Sequence, residues 1–309
     1  MSQDVKDLVI IGAGPSALAA AIYTSREDIK TTMFEKAVVG GVTATIDMID
    51  NYPGFPDGVD GMTLSEQWEK QAKRFGSDIQ FGEVTKIEID GKEKVVTVDG
   101  KEVRAKAVLI ASGRRYGKVG APGEDEYFGK GVHYCATCDG AFYFGKKLAV
   151  VGGGNSAIQE AIFLTRFATH IDLIVRSYVK ASAVLKRELG NMVKDGKITV
   201  HEATTIDSIN GDGAHVVSLS LDENGKKSTL ELDGVFVFVG MKPNTEFLNN
   251  SNIEITDEGY IRTDEHMMTS LDGVFASGDV RHGATKQIAS AAGEGVTAAI
   301  AIREYLHRY

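Results

Sequence analysis

One pattern occurs twice in this chain and constrains its fold more than any other feature. Near the start, DLVIIGAGPSALAAAIYTSR runs apolar, breaks at Gly12-Ala13-Gly14-Pro15-Ser16-Ala17, and resumes as an alanine-rich stretch. Near the middle, KKLAVVGGGNSAIQEAIFLTRFA does the same through Gly152-Gly153-Gly154-Asn155-Ser156-Ala157. A short β-branched run, a glycine turn and a helix-forming segment predict strand, turn and helix in both places. Further apolar strands follow, KTTMFEK and HIDLIVR, and then alternating segments punctuated by Asp-Gly or Asn-Gly turns. These are VTKIEIDGKEKVVTVDG in the first copy and IDSINGDGAHVVSLSLDENGKKSTLELDG in the second. Each copy closes on a buried-looking strand ending at glycine, AVLIASG at Gly113 and GVFVFVG at Gly240. The copies lie much further apart than solenoid repeats, whose period is about 20–50 residues. They predict a duplicated nucleotide-binding module.

The C-terminal piece, TSLDGVFASGDVRHGATKQIASAAGEGVTAAIAIREYL, reads as a short strand, a loop at Gly278-Asp279 and a small-residue helix. It fits no third copy and instead completes the first module. The expected class is therefore α/β, with two Rossmann-like, three-layer ββα domains, the second inserted into the first. Boundaries are expected at 1–115 with 246–309 for the first domain and 116–245 for the second. The chain crosses between them near Arg114–Gly117 and Met241–Thr245, the latter with Lys-Pro-Asn turn chemistry.

In a G-x-G-x-x-G/A turn, the first glycine permits the tight bend and the second lets a diphosphate approach the backbone. The small last residue allows close helix–strand packing. Gly12, Gly14 and Ala17 fit, and Glu35 lies about twenty residues on, where a carboxylate accepts from an adenosine ribose. Gly152, Gly154 and Ala157 fit equally well. Their second strand ends without a carboxylate and offers Arg176 and Lys180, which suit a 2′-phosphate or a solvated surface.

Composition excludes some classes. With 43% hydrophobic and 25% charged residues the chain is ordinary for a globular protein. A net charge of −9 repels both nucleic acid and anionic membranes. No apolar run reaches membrane-spanning length, and MSQDVKDLVI is too polar for a signal peptide, so a cytoplasmic protein is expected. In that compartment thiols stay reduced, which makes a static disulfide staple unexpected. Both cysteines lie in HYCATCDG. Zinc needs about four ligands, and beyond a partial site with His133 no cluster of familiar spacing supplies the rest, so no metal is expected. Asp139 directly follows Cys138, as a proton donor or acceptor for thiol–disulfide exchange would. A dithiol between two dinucleotide modules reads as a redox pair, with a non-catalytic redox sensor as the rival from another class.

The motifs GAGPSALAAAIY, VGGVTATIDMIDNYPGF, GKGVHYCATCDG, VGGGNSA, FVGMKPNT and DGVFASGDV span nearly the whole chain. Together they closely resemble the low-molecular-weight, prokaryotic-type thioredoxin reductases. The resemblance implies a homodimeric FAD enzyme in which NADPH reduces the flavin. The flavin then reduces a Cys135–Cys138 disulfide, and thioredoxin or a thioredoxin-like protein takes the electrons after an interdomain rotation. It places Gly12, Gly14, Ala17, Glu35, Lys36, Gly41, Asn51, Gly113, Asp279, Gln287 and Ile288 at FAD. Gly152, Gly154, Asn155, Ser156, Ala157, Arg176 and Lys180 fall at the nicotinamide nucleotide. Asp139 becomes the proton donor, with Cys138 as the sulfur facing the flavin.

The sequence departs from the family pattern at three points. The His-Arg-Arg of the nucleotide signature is Ile174-Val175-Arg176, followed by Lys180-Ala181 where the family has Arg-Ala; the Gly-Gly-Gln of the flavin region is Gly40-Gly41-Val42; and Lys286 stands where arginine is usual. The first of these leaves the donor open to NADH, ferredoxin or a deazaflavin. A flavin reductase without a dithiol is a further rival, against which the cysteine pair counts.

Overall fold

The computed structural model describes residues 5–46, 49, 51–249 and 251–309; the side chains of Thr137 and Cys138 are outside the described set. The chain forms two compact units, 1–115 with 242–309, and 116–241.

The first unit begins with β1 (Lys6–Ile11), α1 (Pro15–Arg26) and β2 (Thr31–Glu35). Proline at the first helical position lacks only an N–H that the helix leaves unpaired anyway. Helix α2 (Gly61–Arg74) is capped by Asp60, which accepts from the Thr63 N–H at 2.7 Å. Four strands follow: β3 (Asp78–Phe81), β4 (Val84–Asp90), β5 (Glu93–Val98) and β6 (Lys101–Ile110). The order is β3-β2-β1-β6-β5-β4, with β1, β2, β3 and β6 parallel. The first half of β6 pairs antiparallel with β5, from Lys101↔Val98 to Ala105↔Lys94. The alternating β4–β5 segment peels away with it into a separate layer.

The chain leaves this unit through β7 (Arg114–Tyr116). The second unit runs β8 (Val132–His133), α3 (Ala136–Asp139), β9 (Lys147–Val151), α4 (Asn155–Leu164), β10 (His170–Ile174), α5 (Ala183–Lys194) and β11 (Ile198–His201). A meander follows, β12 (Thr204–Gly211), β13 (Val216–Glu223) and β14 (Lys226–Glu231), then β15 (Gly234–Val237). The sheet β11-β10-β9-β15-β8 is wholly parallel, and β12-β13-β14 is antiparallel. The chain leaves through β16 (Met241–Pro243), which pairs with β7.

Back in the first unit, β17 (Val274–Ala276) pairs parallel with the second half of β6, and α6 (Ile288–Arg308) packs on α1. The closeness of that crossing depends on small residues. A Cβ on Gly295 would lie 2.1 Å from the Ser16 carbonyl, and Ala17, Ala20 and Ala21 are fully buried.

The C-terminal halves of β1 and β6 are buried on both faces, as a parallel sheet between two layers requires. Leu8, Ile10, Met33, Leu109 and Phe275 point toward α1 and α6. Val9, Ile11, Val108, Ile110 and Val274 point toward Val84, Ile87 and Val96 of the meander. The second unit repeats the plan, with Leu148, Val150, Leu173 and Phe236 toward α4 and α5, and Ala149, Val151, Val235 and Val237 toward the meander. Full burial of a side chain such as Phe236 or Phe275 contributes about 1.5–3 kcal/mol. Among the described residues no helix is long and apolar enough to cross a membrane.

Candidate active site

The first turn joins β1 to α1. Gly12 has φ +100°, and a Cβ there would meet the Ala111 carbonyl oxygen at 2.6 Å, so only glycine fits. Gly14 differs. Its nearest heavy atom to an added Cβ is the Gly40 oxygen at 4.0 Å, so the turn presents an open cradle. That space, which a Cβ would fill, lies at the start of α1, where unpaired N–H groups favour a phosphate. The residues present therefore fit a diphosphate. Ala17 is fully buried beneath the turn, and the Gly40 N–H donates to the Ala13 carbonyl at 2.7 Å, bringing Gly41 against Gly14.

Glu35 ends β2 and reaches back. One carboxylate oxygen accepts from the Ala13 N–H at 2.8 Å and the other from the Ala37 N–H at 2.9 Å. Each oxygen keeps lone-pair capacity for a sugar hydroxyl. Lys36 pairs with Glu83 at 3.5 Å on an exposed surface. Asn51 and Gln287, 236 positions apart, meet through the Asn51 amide donating to the Gln287 carbonyl oxygen at 3.3 Å. Ile288 opens α6 beside them, packed with Tyr52 around Ile49, Val59 and Leu64. Gly113 follows β6 by three residues, and its carbonyl accepts from the Asn244 N–H at 3.0 Å.

Asp279 shows a contact the sequence did not announce. Its Oδ2 accepts from Arg114 Nε at 3.1 Å and Nη2 at 3.0 Å. Next to it, a Cβ on Gly278 would lie 2.9 Å from Ser16 Cβ, which places this pair beside the first turn of α1.

The second turn repeats the first. Gly152 has φ +140°, and a Cβ there would lie 2.4 Å from the Phe238 carbonyl oxygen, whereas one on Gly154 would meet nothing within 4 Å. Ala157 is fully buried, and Ser156 is exposed. The loop carrying Arg176 and Lys180 is tied to the turn: the Lys180 N–H donates to the Gly153 carbonyl at 2.7 Å, and the Ser182 N–H to Asn155 Oδ1 at 2.8 Å. Both cationic side chains are exposed, with the Lys180 ammonium 5.0 Å from the Tyr178 ring centre. The open cradle and two exposed cations fit a phosphorylated dinucleotide.

Cys135 lies just before α3 and is disulfide-bonded. The Cys138 side chain lies outside the described residues. The Asp139 N–H donates to the Cys135 carbonyl at 3.2 Å. The Asp139 carboxylate lies 3.0 Å from His133 Nδ1, and His133 Nε2 lies 2.7 Å from the Tyr143 hydroxyl. Burial, reinforced by Asp139 and Asp233, pushes the Tyr143 phenol up to about 12. The His133 ring stacks on Phe236 at 5.1 Å. Sequence reasoning considered His133 only as a partial metal ligand. Among the described residues no three His, Cys, Asp or Glu side chains are grouped to hold a metal.

Residues 6–295 match the family model of pyridine nucleotide-disulphide oxidoreductases. The chain is 40% identical over 311 residues to the thioredoxin reductase of Bacillus subtilis strain 168, covering 99% of this chain and 96% of that protein. It is 42% identical over 310 residues to the thioredoxin reductase of Listeria innocua, covering 98% and 95%. Its structure is similar to that of Lactococcus lactis thioredoxin reductase, with a TM-score of 0.80 and 34% identity over 98% of this chain and all of that one. With two dinucleotide turns and matches that run nearly end to end, the chain belongs to the pyridine nucleotide-disulphide oxidoreductase family, among its low-molecular-weight thioredoxin reductases.

Proposed function

We propose that this chain is an FAD-dependent disulfide reductase that takes electrons from NADPH and delivers them, through a Cys135–Cys138 dithiol, to thioredoxin or a thioredoxin-like protein. The observation that carries this reading is a disulfide-bonded Cys135 in an inserted unit that has its own dinucleotide turn. Bound FAD supplies the redox chemistry, accepting a hydride and passing an electron pair to a disulfide.

The protein's residues bind and position. The unpaired N–H groups at the start of α1 hold the diphosphate over Gly14, Ala17 lets the helix pack close, and Glu35 accepts from the adenosine ribose. Asp279, Gly41, Asn51, Gly113, Gln287 and Ile288 line the flavin side, and Lys36 lies at the adenosine end. Gly152, Gly154, Asn155, Ser156 and Ala157 form the second cradle, with Arg176 gripping the 2′-phosphate through its fork of donors and Lys180 as a point charge. Asp139 donates a proton to a sulfur released when the disulfide opens. The working form is a homodimer in the cytoplasm, with residues 1–115 and 246–309 as the FAD domain and 116–245 as the nucleotide domain.

Serine substitution at Cys135 and Cys138, made separately, tests the reading. Each variant loses disulfide reduction while its flavin is still reduced by NADPH. A variant that keeps reducing thioredoxin at the parent rate contradicts the assignment. Only Arg176 in the stretch Ile174-Val175-Arg176 is charged, so NADH and reduced ferredoxin are assayed beside NADPH.

A further inference from the structure

His133 is 8% exposed and lies between two polar groups, the Asp139 carboxylate 3.0 Å from Nδ1 and the Tyr143 hydroxyl 2.7 Å from Nε2. Phe236 stacks on the ring at 5.1 Å and Tyr143 meets it edge-on at 5.3 Å, which holds the imidazole against α3. Tyr143 is held in turn, because its ring covers Gly234, where a Cβ would lie 2.6 Å from the ring.

The roles of the two ring nitrogens follow from this arrangement. The Tyr143 phenol stays protonated through the neutral range, since burial and the carboxylates of Asp139 and Asp233 disfavour its anion. Its O–H therefore donates to Nε2, the neutral imidazole carries its hydrogen on Nδ1, and Nδ1–H donates to Asp139. The charged and titratable groups around the ring are Asp139 at the end of α3, Tyr143 in the following turn, and Asp233 before β15; Asp233 is itself paired with Lys146 at 3.3 Å.

We propose that His133 is a positioning residue for the redox pair, whose Nδ1–H holds the Asp139 carboxylate that remains after Asp139 has given its proton to sulfur. The inference rests on the disulfide-reductase reading above. When the Cys135–Cys138 bond takes up an electron pair it breaks into two thiolates, one of which keeps its charge while the other takes a proton. The Asp139 carboxyl supplies that proton and becomes a carboxylate. His133 accepts no electron and ends the step as it began, with a stronger hydrogen bond.

The test follows the infrared carboxyl band of Asp139, assigned by its loss in Asp139→Asn, against pH in the full-length reduced protein. His133→Phe keeps the ring stack but removes the donor, so the protonated band persists to higher pH, by about one unit for the loss of a charge-assisted bond. His133→Asn places an N–H near the Nδ1 position and returns the midpoint toward the parent. Tyr143→Phe shifts it the same way by less, and decides the matter should His133→Phe not fold. Identical midpoints in the parent, His133→Phe and Tyr143→Phe overturn the inference and leave the disulfide-reductase reading intact. Disulfide reduction that survives Cys135→Ser overturns the reading itself, and this inference with it, whatever the band does.

Discussion

The two glycines of the first turn have different tasks, and alanine substitution separates them. At Gly12, alanine meets two penalties. A left-handed φ of +100° costs a non-glycine residue about 1–2 kcal/mol. The new Cβ also falls 2.6 Å from the Ala111 oxygen, a backbone atom fixed because the Ala111 N–H donates to the Ile11 carbonyl at 2.9 Å. Overpacking of that kind adds about 1–3 kcal/mol. The total of about 2–5 kcal/mol is a large part of the about 5–15 kcal/mol that holds a domain folded. At Gly14, φ is −77° and nothing lies nearer than 4.0 Å, so alanine leaves folding unchanged or improves it by about 0.4–1 kcal/mol. What it fills is the cradle, which weakens FAD binding at least about tenfold, or about 1.4 kcal/mol. Urea unfolding of the FAD-free protein and titration with FAD measure the two effects. A Gly14→Ala variant that binds FAD as tightly as the parent refutes the placement of the diphosphate. A Gly12→Ala variant with an unchanged urea midpoint refutes the strain argument.

Other outcomes follow from the same geometry. Gly154→Ala, with no neighbour within 4 Å, keeps FAD and stability but raises the KM for NADPH about tenfold or more, as steady-state kinetics read directly. Glu35→Ala strips acceptors from the Ala13 and Ala37 N–H groups and lowers stability by about 1–2 kcal/mol, seen as a lower urea midpoint; Glu35→Gln keeps one acceptor oxygen and loses less. Removing both Arg176 and Lys180 raises the KM for NADPH and leaves that for NADH unchanged, because NADH has no 2′-phosphate to lose contact with. Tyr143 and Tyr305 are both raised to about 12 by burial, above the value near 10 of an exposed phenol. The folded state therefore holds these protons more tightly. Their contribution to stability is intact below pH 10 and is lost as pH rises toward 12, which denaturant midpoints across that window test.

The duplicated turn made the architecture legible, because strand, glycine and helix are local and their periodicities differ. The Asp90-Gly91 turn between β4 and β5 and the Asn224-Gly225 turn between β13 and β14 stood out for the same reason. Contacts between residues distant in sequence were less visible. Nothing in the order of residues pairs Arg114 with Asp279, 165 positions on, or turns His133 toward a phenol. The second compact unit ends at Met241. Asn244 exchanges hydrogen bonds with Ser112 in the first unit, a pairing no local pattern announces. The disulfide at Cys135 falls in HYCATCDG, the one motif that holds both cysteines.

Anaerobic titration of the flavin-loaded protein with NADPH, following the visible flavin absorption and counting thiols, decides whether electrons pass on to sulfur. The account predicts that the flavin bleaches, that two thiols appear, and that the protein takes up one electron pair beyond what its flavin can hold. Cys135→Ser takes up the flavin's pair alone. Equal electron uptake by the parent and the variant, or a colourless protein that will not accept FAD, contradicts the account.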